Sequence, residues 1–148
     1  MKKTAGLSHA HILMVLQKIP FFRGFVPDER ERLANEQDSF VVAKPNEMIV
    51  LKGSIDRSFY ILLSGIVEVI DCSDETPIFE LTPGDFFGEI SFLSETPRTS
   101  NVRAQDVCIL MRIDQQLMSR LRAEMREKIK DELIAKLVNR ILSQAKDQ

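Results

Sequence analysis

Between Phe40 and Ile113 the apolar residues come in short runs, and only one connection among them is long enough to hold a helix. The runs are Phe40–Ala43, Met48–Leu51, Phe59–Leu63, Ile66–Ile70, Ile78–Leu81 and Val107–Ile113. Parallel strands need crossovers of about a dozen residues or more, usually helical. Here the connections are turn-forming sequences instead: Lys44-Pro45-Asn46, Lys52-Gly53-Ser54, Ser64-Gly65, Asp74-Glu75-Thr76-Pro77 and Pro83-Gly84-Asp85. The exception runs from Gly88 to Arg98. Many short strands at this spacing predict an all-β sandwich or barrel. Gly53, Gly65 and Gly84 are read as turn glycines only.

Helices flank the strands. Ile12, Leu13, Leu16 and Ile19 share one face of a helix between Leu7 and Ile19, with Ser8 as its N-cap. Pro20 ends it, and Phe21, Phe22 and Phe25 follow in an apolar loop. A second helix begins near Pro27, a residue favoured in a first turn. Asp114 is a further N-cap, and from Arg98 onward the chain holds neither glycine nor proline, so everything after Asp114 reads as helix. There Ile129, Leu133, Leu137 and Ile141, with Ile134, Val138 and Leu142 beside them, form an apolar stripe. That stripe is read as a packing face, against the barrel or against a second copy of the chain.

The remaining features narrow the function. The 148 residues suit one domain, and a net charge of -2 leaves no global basic field for nucleic acid or acidic lipid. No run approaches the roughly 18 apolar residues that span a bilayer. After Met1-Lys2-Lys3, the residues His9, His11 and Gln17 interrupt any signal-like stretch. A cytoplasmic location without membrane contact is expected. Cys72 and Cys108 form no Cys-x-x-Cys pair and are expected to be reduced. His9 and His11 do not share a helix face, so no metal site is expected from them. No catalytic constellation is visible, and the chain is not expected to be an enzyme.

The chemistry concentrates in Phe86 to Val102. Gly88 lets backbone approach a ligand with no Cβ in the way. A short helix starting there would aim the N–H groups of Glu89, Ile90 and Ser91 at an anion. Arg98 supplies a planar, permanently charged fork for two phosphate oxygens, with Pro97 stiffening its approach. Glu89 would repel a bare phosphate, but a carboxylate suits a neighbouring hydroxyl donor. Together the two side chains describe a sugar fused to a phosphate.

Phe87-Gly88-Glu89 followed by Pro97-Arg98-Thr99 resembles the phosphate-binding cassette of the cyclic-nucleotide-binding domain family. That family includes protein kinase A regulatory subunits, cyclic-nucleotide-gated channels and the catabolite activator protein. Lys52-Gly53, Tyr60 to Gly65 and Leu81 to Glu89 resemble its turns and cassette entry. The resemblance implies a mainly β fold with flanking α-helices. Its centre would be an antiparallel β-roll or jelly-roll barrel, with an N-terminal helical pair, a short phosphate-binding helix and a C-terminal lid helix. Residues 1–148 would form one domain: helices over 1–37, the roll over 38–113 with its cassette at 86–102, and helices over 114–148.

The resemblance further implies that Arg98 pairs with the phosphate oxygens and Glu89 accepts the ribose 2′-hydroxyl. Amides of Gly88, Glu89, Ile90 and Ser91 and the amide and hydroxyl of Thr99 would complete the cradle. The lid is assigned to Lys130, Ile134 and Leu137. No cofactor or metal is implied, only a ligand, cyclic AMP or cyclic GMP, with the reading inclined to cyclic AMP. The expected function is a sensor that moves its C-terminal helix to signal to an effector protein or attached domain, with a homodimer through that helix as a further expectation. The alternative is the sensor part of a catabolite-activator-type transcription regulator. Such regulators add a helix-turn-helix after the long helix, and Asp114 to Gln148 holds no glycine or proline for that turn, so no nucleic acid is expected.

Overall fold

The computed structural model describes residues 1–3 and 7–146, so the parts of the expected domain at 4–6 and 147–148 lie outside the described residues. In chain order the elements are β1 (Lys2–Lys3), α1 (His9–Lys18), α2 (Pro27–Ala34), β2 (Phe40–Ala43), β3 (Met48–Val50) and β4 (Phe59–Ser64). Then come β5 (Val67–Ile70), β6 (Pro77–Leu81), β7 (Phe86–Phe87), α3 (Glu89–Ser94), β8 (Asn101–Ala104), β9 (Cys108–Ile113), α4 (Gln115–Arg120) and α5 (Ala123–Lys146).

The strands form two antiparallel sheets, ordered β1-β2-β9-β4-β7 and β3-β8-β5-β6. This is the expected roll, built from two separate sheets and not closed into a barrel. The first sheet is covered on both faces, which explains why β4 reads as an uninterrupted apolar run. Phe59, Ile61 and Leu63 point to the helices, while Tyr60 and Leu62 point to the second sheet. β8 lies outside the six apolar runs because Asn101 and Arg103 alternate with its buried Val102 and Ala104. β1 also differs from the expected all-helical N-terminus: main-chain pairing with β2 places it at the edge of the first sheet.

The helix starts follow local chemistry. Ser8 Oγ accepts from the His11 N–H at 3.1 Å, and Asp114 Oδ1 accepts from the Leu117 N–H at 2.8 Å. Pro27 occupies the first position of α2, and Glu29 reaches back to the Val26 N–H at 2.9 Å.

The helical stretch expected after Asp114 forms two helices with a break between them. Leu121 is extended, with φ -93° and ψ 153°, between α4 and α5. The break lets Leu117, Met118, Leu121 and Met125 all enter the core. Arginine donors replace the glycine or proline that a helix end usually calls on: Arg32 donates to the Arg120 carbonyl at 3.2 Å and Arg126 to the Leu121 carbonyl. In α5, Ile129 and Leu133 are buried, whereas Ile134, Val138, Ile141 and Leu142 are exposed. The expected stripe therefore divides between a core contact and an open face. Among the described residues no helix is long and apolar enough to cross a membrane.

Candidate functional site

Gly88 sits between β7 and α3 at φ +85°, a left-handed conformation that favours glycine. A Cβ there would lie 2.6 Å from Arg98 Nη1 and 3.2 Å from the Ser58 carbonyl oxygen. The position needs glycine both for its φ and for the guanidinium packed against it.

Arg98 is buried, with only 2% of its side chain exposed. Its Nη1 donates to the Gly88 carbonyl at 2.9 Å, its Nη2 donates to the Ser58 carbonyl at 2.6 Å, and Nη2 lies 3.3 Å from Asp56 Oδ2. Its backbone is pinned to the turn after β3: Arg98 N–H donates to the Ser54 carbonyl and Gly53 N–H to the Arg98 carbonyl, both at 2.8 Å. One atom is left over. Among the described residues, Arg98 Nε is the one buried side-chain nitrogen or oxygen without a hydrogen-bond partner.

Asp56 supports this arrangement. It accepts from the Ser58 amide at 3.1 Å and the Ser58 hydroxyl at 2.8 Å, closing a local turn. Burial alone would raise its pKa, but those bonds and the charges of Arg112 and Arg98 outweigh it and hold the carboxyl below its ordinary value.

Glu89 is also buried, and Arg140 from α5 meets it at 3.1 Å. One turn earlier on the same face, Lys136 donates to the Phe86 carbonyl and lies 3.8 Å from the Phe86 ring centroid. Burial pushes the Lys136 pKa down, Arg140 adds to that, and Glu89 and Asp85 oppose it.

These groups surround one cavity of about 220 Å³. Gly88, Glu89, Ile90, Ser91, Arg98 and Thr99 all line it, so the structure brings the six expected cassette residues together. Val50, Val69, Leu81, Phe87 and Val102 give it an apolar wall, and Lys136 and Arg140 close it from α5. Lys130, Ile134 and Leu137 do not line it. Lys130 and Ile134 border a separate groove with Phe92, Leu93, Met118 and Leu133, and Leu137 is half-buried. The sequence signal for Lys136 and Arg140 was their spacing: both continue the face that buries Ile129 and Leu133, with charge in place of apolar bulk.

Outside the cavity, His9 pairs with Glu31 at 2.6 Å. No group of three His, Cys, Asp or Glu side chains arranged for a metal ion occurs among the described residues. Cys72 and Cys108 are both free thiols, and burial, assisted by Asp106, pushes Cys108 up to about 11.

The sequence profile described as a cyclic nucleotide-binding domain matches residues 40–125. The cAMP-dependent protein kinase regulatory subunit of Neurospora crassa is 28% identical over 106 residues, 72% of this chain and 27% of that protein. The chain thus spans about a quarter of the length of the curated relatives it matches. Among solved structures, cAMP-bound PfPKA-R is 25% identical with a TM-score of 0.70, covering 93% of this chain and 47% of its own. The regulatory subunit of a cAMP-independent protein kinase A from Trypanosoma brucei has a TM-score of 0.69 at 24% identity, covering 95% and 52%.

Proposed function

The chain belongs to the cyclic nucleotide-binding domain family, and on that premise we propose that its cavity binds cyclic AMP, with cyclic GMP as the second candidate, as the sensing step of a regulatory protein. The observation that carries the ligand class is the buried Arg98, which lines the cavity and whose Nε has no hydrogen-bond partner. A buried N–H without an acceptor costs about 1–3 kcal/mol, and an equatorial phosphate oxygen would satisfy it with a charge-assisted bond. The amides of Glu89, Ile90 and Ser91 precede the first intrahelical bond of α3, which runs from Phe92 to Gly88, and would join the cradle. Glu89 would take the ribose 2′-hydroxyl, Thr99 would add its amide and hydroxyl, and the apolar wall would receive the purine.

The fold by itself does not choose the ligand, since the similar Trypanosoma brucei structure is of a cAMP-independent kinase subunit. Arg98 supports a phosphate over a bare nucleoside. Calorimetry on the chain is expected to show cyclic AMP binding, with adenosine far weaker. It should also show 2′-deoxy cyclic AMP weaker by about 1–3 kcal/mol, because it leaves the buried Glu89 acceptor unpaired. Glu89→Gln should narrow that difference. Equal affinity for ribo and deoxy ligands would remove Glu89 from the ribose contact, and equal affinity for adenosine would overturn the phosphate site.

α5 serves as the lid in this reading, through Lys136 and Arg140 in place of Lys130, Ile134 and Leu137. Ligand shifts its population between looser and tighter docking without a new fold. Hydrogen exchange with cyclic AMP is expected to slow at residues 88–94 and in α5 beyond Lys130, with β2 to β5 little changed. Slowing confined to the cassette would make α5 a fixed part of the core. The exposed face of Ile134, Val138, Ile141 and Leu142 is the surface we assign to the effector, attached domain or second copy that receives the signal. Cytoplasmic placement and a binding role without catalysis complete the proposal. The catabolite-activator reading stands second, because the matched relatives include kinase regulatory subunits.

A further inference from the structure

From Met1 to Pro27 the chain holds four Lys or Arg and no Asp or Glu, although its net charge is -2. Two of those four, Lys18 and Arg23, meet Arg30 around a pocket of about 370 Å³ between the end of α1 and α2. Gln17 adds an amide, and no carboxylate lines the pocket. It shares no lining residue with the cavity around Arg98. Its frame is tied into the core. The Ile19 N–H donates to the Leu16 carbonyl at 3.3 Å, and the Arg23 N–H closes the 3-10 turn Pro20–Phe22 on the Pro20 carbonyl at 3.0 Å. Phe21, Phe22 and Phe25 are all buried, and the Phe22 ring centroid lies 5.1 Å from that of Phe21 and 5.4 Å from that of Phe25. The backbone that carries Arg23 is thus anchored while its side chain stays exposed.

No acid matches these cations. Among the described residues, the side chains of Lys18 and Arg23 have neither a hydrogen-bond nor an ion-pair partner. Arg30 Nη1 donates to the Phe25 carbonyl, which fixes the guanidinium and uses one of its five N–H donors. Of the acids in α2, Glu29 meets Lys128 and Glu31 meets His9. A lysine at the end of α1 suits the helix dipole, but Arg30 stands in the N-terminal half of α2, where the dipole favours acids. Like charges around one concavity repel each other and focus a positive potential into it, and a seated anion relieves both. We propose that this pocket is a second ligand site, for a compact oligophosphate: a free di- or triphosphate, or the polyphosphorylated headgroup of a lipid. The two arginines supply forks for phosphate oxygens and Lys18 a point charge. A single phosphate monoester carries about -1.5 to -2 at pH 7, so three cations call for two phosphates or more. The site does not rest on the cyclic nucleotide reading.

Titration of the whole chain with inorganic tripolyphosphate, followed by amide NMR, tests the site. The signals of Lys18, Ile19, Arg23 and Arg30 should shift together and saturate, with orthophosphate binding about tenfold more weakly. Lys18→Gln and Arg23→Gln should each weaken tripolyphosphate about fivefold to tenfold. Neither side chain holds anything in the fold, so both variants remain folded. Lys44→Gln, at an exposed lysine away from the pocket, is the control and should leave the affinity unchanged. Shifts confined to Gly88 to Ser91 would place the anion in the cavity around Arg98 and overturn the second site. Unaltered affinity in Arg23→Gln, or orthophosphate binding as tightly as tripolyphosphate, would overturn it too. A chain that binds tripolyphosphate here but no cyclic AMP would keep this site and lose the cyclic nucleotide reading. Co-sedimentation with phosphatidylcholine vesicles containing phosphatidylinositol bisphosphate separates the two sources. Pelleting that Arg23→Gln abolishes would assign the lipid headgroup, and tripolyphosphate binding without pelleting would assign a free oligophosphate. A chain that binds neither has no site in this pocket.

Discussion

Arg98→Ala is expected to bind cyclic AMP more weakly by about 2–5 kcal/mol, the range for removing one partner of a buried charged contact. In affinity that is roughly thirtyfold to several thousandfold. The side chain is nearly closed to solvent, so water cannot take its place beside the phosphate without rebuilding the wall of the cavity. From the sequence alone, Arg98 serves the ligand and not the core, and folding stays largely intact without it. The structure amends that, because Arg98 also holds the Gly88 and Ser58 carbonyls that shape the cradle. Thermal unfolding of Arg98→Ala should therefore show a stability loss on the order of 1–3 kcal/mol beside the binding defect. Arg98→Lys separates the two effects, since it retains charge and loses the fork that reaches both carbonyls. Folded Arg98→Ala with unaltered affinity for cyclic AMP would end the cradle assignment.

The contrast between Arg98 and its supports shows what was legible in the sequence. Gly88, Glu89 and Arg98 fall within one short segment, where a glycine, an acid and an arginine carry recognisable chemistry. Asp56, Ser58, Lys136 and Arg140 come from elsewhere in the chain; helical spacing shows that Lys136 and Arg140 share the face of Ile129 and Leu133, but only tertiary contacts bring all four to the site. The fold divides in the same way. α1 and α2 follow from Ser8, Pro27 and a 3.6-residue period, and β2 to β6 and β9 from apolar runs between turns. β8 carries only two apolar residues, and β1 consists of two lysines held by main-chain pairing. The break at Leu121 depends on Arg32 and Arg126 donating to its carbonyls, one of them from a helix near the other end of the chain. Propensity favours one long helix there, and burial of Leu117, Leu121 and Met125 together overrides it.

Gly65→Ala is expected to cost about 2–5 kcal/mol of folding stability, without any contact to the ligand cavity. Gly65 turns the chain from β4 into β5 at φ +92°, where an alanine pays roughly 1–2 kcal/mol in backbone strain. The added Cβ would also fall 2.5 Å from the Val107 carbonyl oxygen, 2.8 Å from Cys108 Sγ and 2.9 Å from Asp106 Oδ1. Those atoms cannot retreat freely. Val107 immediately precedes β9, which is paired on both sides by β2 and β4. Asp106 accepts from the Ile66 amide at 2.8 Å, and Gln105 donates to the Ile66 carbonyl at 2.9 Å. Overpacking of this kind adds about 1–3 kcal/mol. Gly53 provides the control: its φ is +89°, but an added Cβ would meet nothing within 4 Å. Gly53→Ala should therefore cost only the strain, about 1–2 kcal/mol. Urea unfolding of both variants, with unchanged denaturant slopes, measures the difference. Equal losses at Gly53 and Gly65 would mean the clamp of residues 105–108 around the turn yields at little cost, and that strain alone sets the preference for glycine at both turns.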